Sequence, residues 1–537
     1  MKESSIRNWD RVASWPSSTA RARPRAIHAS MPYPPCRDSC WFALTMLLIA
    51  GYSPALMNDN TQANPGSLPR KGDQVELLAI GIGPRGHVLA ETSGIPVRIK
   101  GCAAPGDRVK VRLLRKGRGV FDGQLLEILD VSSEHTDPLC RHAGTCGGCS
   151  FQAVSYPAQL EAKWSWIQSA LAESDLTHVP EVQPIIGMHD PWHYRNKMDF
   201  TFGSRRWIEE HEEQGVVADF GLGLHVPGRW DKVLDIEECL IAFPEASAIL
   251  NSARRYALQQ NLDPWDVKES EGLLRHLVLR KGFHTGEILV DLVTETASPE
   301  RIDPYAAALL AAHPEITTMV QGIHARSAKV AFHEEQRILH GEGIIHEVLA
   351  GCTFEVSPTS FFQTNTLQAE RLVECIGEAA GLQNGDVLFD LYCGAGTLGL
   401  CLANQQKDVR VFGFESVEAA VQDARRNAAA NGAENCQFQV GDVRAVLEGS
   451  ADGDLPRPDV VLIDPPRAGL HPKVPAQLAA LKPRRMVLVS CNPVGNMADL
   501  ARLEFLGWHL THVQPVDLFP QTPHVECVFT LSAGPLP

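Results

Sequence analysis

Long apolar runs are missing from this chain. No stretch reaches the roughly 18 apolar residues that a membrane-spanning helix needs, so no membrane partner is expected. The nearest candidate, Trp41–Ala50, is short and broken by Thr45. With Arg21, Arg23 and Arg25 ahead of it the run resembles a poor signal peptide, but its lead-in is too long for one. Residues 1–70 are therefore read as an extension to the folded part, with Met57 as an alternative start. Cysteine is also sparse: 14 in 537 residues exclude a disulfide scaffold. Three of them cluster and the others scatter, which points to a reducing, cytoplasmic setting. Net positive charge is absent, at −15 overall, against a protein that coats nucleic acid with its whole surface. There is no internal repeat. Hydrophobic content of 44% and charged content of 21% exclude a disordered chain, and the length excludes a single core.

What is present divides into three parts beyond that extension. Residues 71–131 alternate short β-patterned runs with glycine turns, which predicts five strands and a small barrel of OB type, a frequent host for oligonucleotides. Arg98, Lys100, Arg108, Lys110, Arg112, Arg115, Lys116 and Arg118 face one acid, Asp107, and fall largely on the third and fourth predicted strands. A local basic face of this kind can hold RNA on an acidic protein. Residues 132–350 read as a central α+β domain. Within it Tyr156–Leu171 has helical spacing, with Leu160, Trp164, Ile167 and Leu171 on a core stripe, and Leu274–Leu279 and Gly286–Thr294 read as paired strands. Residues 190–350 otherwise carry no strong motif. From 351 to 537 strands and helices alternate, with strands predicted at Val387–Leu391, Arg410–Phe414, Gln437–Val440, Asp459–Ile463 and Arg485–Val489. That alternation predicts an α/β, doubly wound parallel sheet.

Cys140, Cys146 and Cys149 lie on one glycine-rich loop, and Cys239 is the best fourth thiolate. Four thiolates suit tetrahedral zinc or an iron–sulfur cluster, and spacing alone does not choose. It does disfavour the CxxxCxxC pattern, because Cys36 and Cys40 are followed by Ala at position 43. His142 is expected to be an exposed bystander.

Chemistry concentrates after residue 390. Asp390-Leu-Tyr392-Cys-Gly394-Ala-Gly396-Thr-Leu-Gly399 follows a strand and opens a helix, an arrangement that brings backbone close to a ligand carboxylate. Glu415 ends the next strand, where its carboxylate can accept both ribose hydroxyls. Asp442 ends a third strand, within reach of an adenine amino group. An NAD site stays open on these features, but the third acid and Asp464-Pro465-Pro466-Arg467 favour S-adenosylmethionine (AdoMet). The latter run is similar to the base-holding loop of amino-methyltransferases, with Arg467 where those carry an aromatic residue. Those enzymes need no nucleophilic cysteine, whereas Ser490-Cys491-Asn492-Pro493 places a thiol at the end of a buried strand. Cys491 points to a pyrimidine carbon: C5 of uracil is a poor nucleophile until a thiolate adds to C6. A base must then remove the C5 proton; Glu526 is the natural one and His524 the competitor. Cys527 is expected in a strand core.

These motifs, with Ser357-Pro-Thr-Ser-Phe361-Phe-Gln363-Thr-Asn365, resemble the AdoMet-dependent 5-methyluridine RNA methyltransferases over about Lys71–Leu531. The resemblance implies a class I, Rossmann-like methyltransferase domain with Cys491 as nucleophile and Glu526 as base. It implies that Gln363, Tyr392, Gly394, Glu415, Asp442 and Asp464 line the cofactor pocket, Asp464 also reaching the uracil. Phe361 would stack on the flipped-out base. It further implies a TRAM domain for the barrel and a [4Fe–4S] cluster on Cys140, Cys146, Cys149 and Cys239. The branch with both resembles enzymes acting on large-subunit (23S) rRNA; separately, a monomer is expected. A tRNA uracil or RNA cytosine methyltransferase, or a mainly RNA-binding protein, are the alternatives. The stretch Glu209–Gln214 and the first 56 residues depart from the family's pattern.

Overall fold

The computed structural model describes residues 68–534 apart from residues 118, 210, 211, 213, 214, 325–332, 334 and 452–454. Trp41–Ala50, Met57 and Arg118 lie outside the described residues.

The first sheet contains β1 (Gln74–Leu78), β2 (Gly81–Ile82), β3 (Val88–Thr92), β4 (Ile95–Lys100), β5 (Arg108–Gly117) and β6 (Val120–Asp130), in the order β1-β5-β6-β4-β3-β2. Its two edge strands, β1 and β2, are joined by Ala79 and Ile80 alone, so the sheet has to curl until its edges approach. Val75 and Leu77 of β1 accordingly share one core with Val88 of β3, Val97 of β4 and Val111 of β5. Five strands were expected and six form; Val88–Thr92, which the sequence did not single out, pairs with both Gly81–Ile82 and β4. The basic residues therefore sit on the fourth and fifth strands. Strand β6 partly neutralises them: Arg98 meets Asp122 at 2.8 Å and Arg108 meets Asp130 at 2.7 Å, each pair cross-strand neighbours. Asp107 does not face the basic run; it is buried and accepts the Ala104 and Ser132 amides at 2.7 and 2.9 Å.

The middle sheet has eight strands, β7 (Lys197–Gly203), β8 (Arg206–Trp207), β9 (Gly221–Val226), β10 (Arg229–Asp235), β11 (Leu274–Lys281), β12 (Ile288–Thr294), β13 (Ile316–Ile323) and β14 (Glu335–His340), ordered β14-β13-β12-β11-β7-β9-β10-β8. The expected pair β11 and β12 is its buried antiparallel centre, with Leu277 opposite Leu292. Helices Ala246–Gln259 and Pro299–Ala312 cover it through Ile249, Leu250, Ile302 and Leu309.

A hairpin of β15 (Ile345–Leu349) and β16 (Cys352–Val356) leads into the last sheet, and the expected boundary at residue 351 falls in its turn. That sheet contains β17 (Val387–Leu391), β18 (Arg410–Glu415), β19 (Cys436–Val440), β20 (Val460–Ile463), β21 (Arg485–Ser490), β22 (Trp508–Val516) and β23 (Glu526–Ala533), in the order β19-β18-β17-β20-β21-β23-β22. The first five strands run parallel and β23 joins β21 antiparallel. Strand periodicity sends alternate residues to opposite cores. Leu388, Val460, Leu462, Val487 and Val489 meet helices Thr366–Ala380 and Thr397–Gln405, while Phe389, Val461, Ile463, Met486 and Leu488 face helices Val474–Leu481 and Met497–Phe505. The predicted doubly wound sheet is thus present. Helix Tyr156–Ala172 also packs on this second face through Ile167 and Leu171, so it belongs to the core of the last sheet. Its expected stripe is rotated: Trp166 is buried, whereas Leu160 and Trp164 are half-buried.

Candidate active site at the carboxyl edge of the last sheet

Parallel strands deliver their carboxyl ends to one edge, and there ligands bind in open α/β sheets. The register assigns each motif its neighbour. Leu391 pairs with Phe414 and with Ile463, so Tyr392 follows its strand between Glu415 and Asp464. The Cys393 amide donates to Phe414 O at 3.1 Å and the Asp464 amide to Leu391 O at 3.3 Å, which knits these three ends together. Ser490 pairs with Cys527 across the antiparallel β21–β23 contact, and one step further Cys491 comes opposite Glu526. A cavity of about 1330 Å³ opens on this edge. It is lined by Phe361, Gln363, Tyr392, Gly394, Glu415, Asp464, Cys491 and Glu526, and also by Cys140, Cys146, Cys149 and Cys239. Of the residues expected to act as nucleophile, base, cofactor contact, base-stacking ring or thiolate ligand, Asp442 is the one the cavity does not include. Its carboxylate is exposed and accepts from the Arg444 guanidinium at 3.0 Å.

The glycine loop is held by strain and by a buried acid. Tyr392 adopts φ +64° and Gly394 φ +54°, the left-handed region that costs most residues of order 1 kcal/mol or more. A Cβ built on Gly394 would meet no atom within 4 Å, so a side chain there would project into the space a ligand needs. Asp390 is fully buried and accepts the Gly399 amide at 3.0 Å. Burial, then the charge of Asp464, pushes its carboxyl up to about 7. A Cβ on Gly399 would stand 2.7 Å from that carboxylate oxygen, which explains the glycine at this position.

Around Cys491 the field is set by acids and one cation. Burial, then Glu526 and Asp464, pushes the thiol up to about 11, and the Arg467 guanidinium opposes this. Burial also raises Asp464 to about 7. Glu526 lies well above the usual carboxylate range for the same reason, with Asp464 adding to it. His524, the competing base, accepts from Arg467 Nη2 through Nδ1 at 3.1 Å, and lost hydration and Arg467 lower it to about 4. It is therefore a neutral acceptor for Arg467. Cys527 is fully buried in its strand, as expected.

Comparison with known proteins agrees with this arrangement. The family model described as tRNA (Uracil-5-)-methyltransferase matches residues 287–533. An RNA methyltransferase of Chlorobaculum tepidum is 36% identical over 468 residues, covering 86% of this chain and 96% of that protein. Another from Porphyromonas gingivalis is 38% identical, covering 80% and 94%. The chain belongs to the uracil-C5 RNA methyltransferase family. Among solved structures, the Pyrococcus abyssi tRNA (uracil-54, C5)-methyltransferase in complex with S-adenosyl-L-homocysteine is similar with TM-score 0.66 and 26% identity, covering 84% of this chain and 99% of that one. This protein is accordingly an AdoMet-dependent RNA methyltransferase acting at uracil C5, with a class I methyltransferase fold.

The cysteine loop of this methyltransferase is more buried than its sequence suggests. Cys140, Cys146, Cys149 and Cys239 are free and half-buried, and burial raises the Cys146 and Cys149 thiols to about 12. Among the described residues no three His, Cys, Asp or Glu side chains are grouped as for a metal ion. His142 corrects the expectation of an exposed bystander: it is buried, with Nδ1 3.1 Å from Glu209 Oε2. That contact takes part of the Glu209–Gln214 stretch against the loop.

Sequence reading missed the supports of this candidate site. Arg195, Met198 and Asp199 line the cavity from the segment that seemed to carry no motif. Asn196 Nδ2 donates to Gln363 O at 3.0 Å and to Thr366 Oγ1 at 3.0 Å, which fixes the Gln363 loop. The consecutive polar residues Arg195, Asn196 and Lys197 before an alternating strand were the available signal. Lys163 is fully buried, bonding Asp517 Oδ1 at 2.7 Å and Phe519 O at 3.1 Å, while Tyr156 Oη donates to Asp517 Oδ2 at 2.9 Å. These bonds hold the loop that leads from β22 to Glu526.

Proposed function

We propose that this methyltransferase modifies a uridine of 23S rRNA through a covalent adduct between Cys491 and uracil C6. The observation that carries the reading is the β21–β23 register, which sets the half-buried Cys491 thiol opposite the buried Glu526 carboxyl in one cavity with Asp464. Cys491 adds to C6, and the C5–C6 electron pair moves toward O4 as an enolate. AdoMet supplies the electrophilic methyl group that C5 takes. Glu526 accepts the C5 proton, the C5–C6 double bond re-forms, and the Cys491–C6 bond breaks. Arg467 supports thiolate formation by opposing the carboxylates. Phe361, 72% exposed at the cavity mouth, offers a ring on which a flipped base stacks. Gln363, Tyr392, Gly394, Glu415 and Asp464 form the cofactor side; Asp442 joins them only after leaving Arg444.

Cys140, Cys146, Cys149 and Cys239 all line the cavity and are proposed to hold a [4Fe–4S] cluster; their side chains, not grouped as for a metal ion in this structure, would have to draw together around it. Its role in this reading is to brace the loop, since the methylation needs no electrons. The curled six-stranded sheet with Arg98, Lys110 and Arg112 supports a TRAM-type RNA-binding role. The protein is read as a cytoplasmic monomer. A tRNA substrate is the second reading, favoured by what the Pyrococcus abyssi protein acts on. Labelled AdoMet incubated with rRNA, tRNA and DNA tests both. Label is expected in 5-methyluridine of rRNA and absent with Cys491→Ala, whose AdoMet binding persists. Label in tRNA alone selects the second reading, and label on DNA or on an amino group overturns both.

A further inference from the structure

A second cavity of about 570 Å³ lies on the middle sheet, away from Cys491 and Glu526. We infer that it receives a second nucleobase of the RNA substrate, distinct from the target uracil. The inference rests on the reading of this protein as an RNA uracil methyltransferase. The walls have the chemistry of a base-stacking site. Trp265 and Trp230 both line it, the latter 52% exposed. The buried Arg275 guanidinium lies over the Trp265 ring, 4.1 Å from its centre, so the cation backs one face of the ring and holds its orientation. Arg275 is fixed there by a 2.9 Å bond from Nη1 to His324 O, which holds the stacked Arg275–Trp265 pair in place before any ligand arrives. Ser204, Arg205 and His276 add polar groups around the same space. Single-stranded RNA is bound through such surfaces, since unstacked bases lie on aromatic rings and guanidinium planes while polar groups meet their edges.

Position argues for the same occupant. Gly147 lines both cavities, so the cysteine loop forms the ridge between them. A Cβ on Gly147 would stand 2.9 Å from His225 O of β9, so the loop backbone is pressed directly onto the floor of the second cavity. An RNA strand whose target uridine enters the first cavity can cross this ridge and place another base in the second. The contact would let the enzyme recognise RNA outside the target nucleotide without involving the reacting atoms.

The test uses the full-length enzyme with rRNA as the probe. Trp230→Ala and Trp265→Ala are expected to weaken RNA binding about 5- to 100-fold each, the range that loss of one base–aromatic stack produces. AdoMet affinity and the rate at saturating RNA should stay at the wild-type level. Trp230 is half exposed, so its replacement spares the fold even where that of Trp265 does not. Ultraviolet cross-linking of the wild-type protein to RNA gives a readout independent of folding: nucleotide adducts are expected on the peptides carrying Trp230 or Trp265. Unchanged RNA affinity in a folded Trp230→Ala variant, with adducts confined to the first cavity, would overturn the inference. Methylation of uridine by the wild-type enzyme, measured in parallel, reports on the parent reading alone.

Discussion

Alkylation of Cys491 measures the field that the cavity places on the thiol proposed as the nucleophile. Burial and two carboxyls raise the thiol to about 11, so near pH 8 only about one molecule in a thousand carries the thiolate. An ordinary cysteine with pKa ≈ 8.5 would carry it in roughly one molecule in four. Iodoacetamide should therefore modify Cys491 about two hundred times more slowly than a free thiol, with a rate that climbs tenfold per pH unit until about 11. A ligand cation reverses part of this. A sulfonium about 7 Å from the sulfur, at an effective dielectric of about 20, favours the thiolate by about 2 kcal/mol. That equals one to two pKa units, or a ten- to hundredfold faster alkylation. S-adenosylhomocysteine fills the same space without the charge and controls for access. The assay follows the Cys491 peptide by mass spectrometry in the free enzyme and with each ligand. Equal rates with the two ligands, or a free-enzyme rate that levels off near pH 8.5, would refute the electrostatic account.

Three further outcomes follow from other parts of the molecule. Glu526→Gln should preserve folding and trap the protein on its RNA, because the adduct forms but the C5 proton stays; turnover falls about 10²- to 10⁴-fold, and a denaturing gel detects the bound species. Free turnover in that variant would remove Glu526 from the base role. Lys163→Met leaves Asp517 buried without its cation and should cost about 3–5 kcal/mol, read as a lower denaturation midpoint; the double variant Lys163→Met with Asp517→Leu should recover part of the loss. Anaerobic purification of the wild-type protein should give a brown species with four irons, and Cys239→Ser should lose most of its iron; an iron-free wild-type protein would exclude the cluster.

Short, strongly patterned segments were legible because their information is local. Val387–Leu391 and Arg485–Ser490 are short, mostly apolar runs, and their strand ends fall within one residue of expectation. Weakly patterned segments were not. Val88–Thr92 becomes a strand because Gly81–Ile82 and β4 pair with it. Asn196 had only a weak local signal, since its role depends on meeting the Gln363 loop 167 residues away. The core stripe of helix Tyr156–Ala172 was misplaced for a related reason. Lys163 looks like a surface residue until Asp517, 354 positions later, takes it into the interior.

The order of residues by itself determined the chemical vocabulary of this methyltransferase: a thiol after a buried strand, acids at successive strand ends, and a glycine loop between a strand and a helix. Those features depend on near neighbours in the chain. Tertiary structure decided which of them share a cavity and in what state they rest there. Cys491 meets Glu526 because two strands distant in sequence pair antiparallel in one register. Asp442, equally prominent in the sequence, turns instead to Arg444. The raised pKa values of the thiol and of both carboxyls have the same origin, since loss of water and the proximity of like charges exist only once the chain has closed around them.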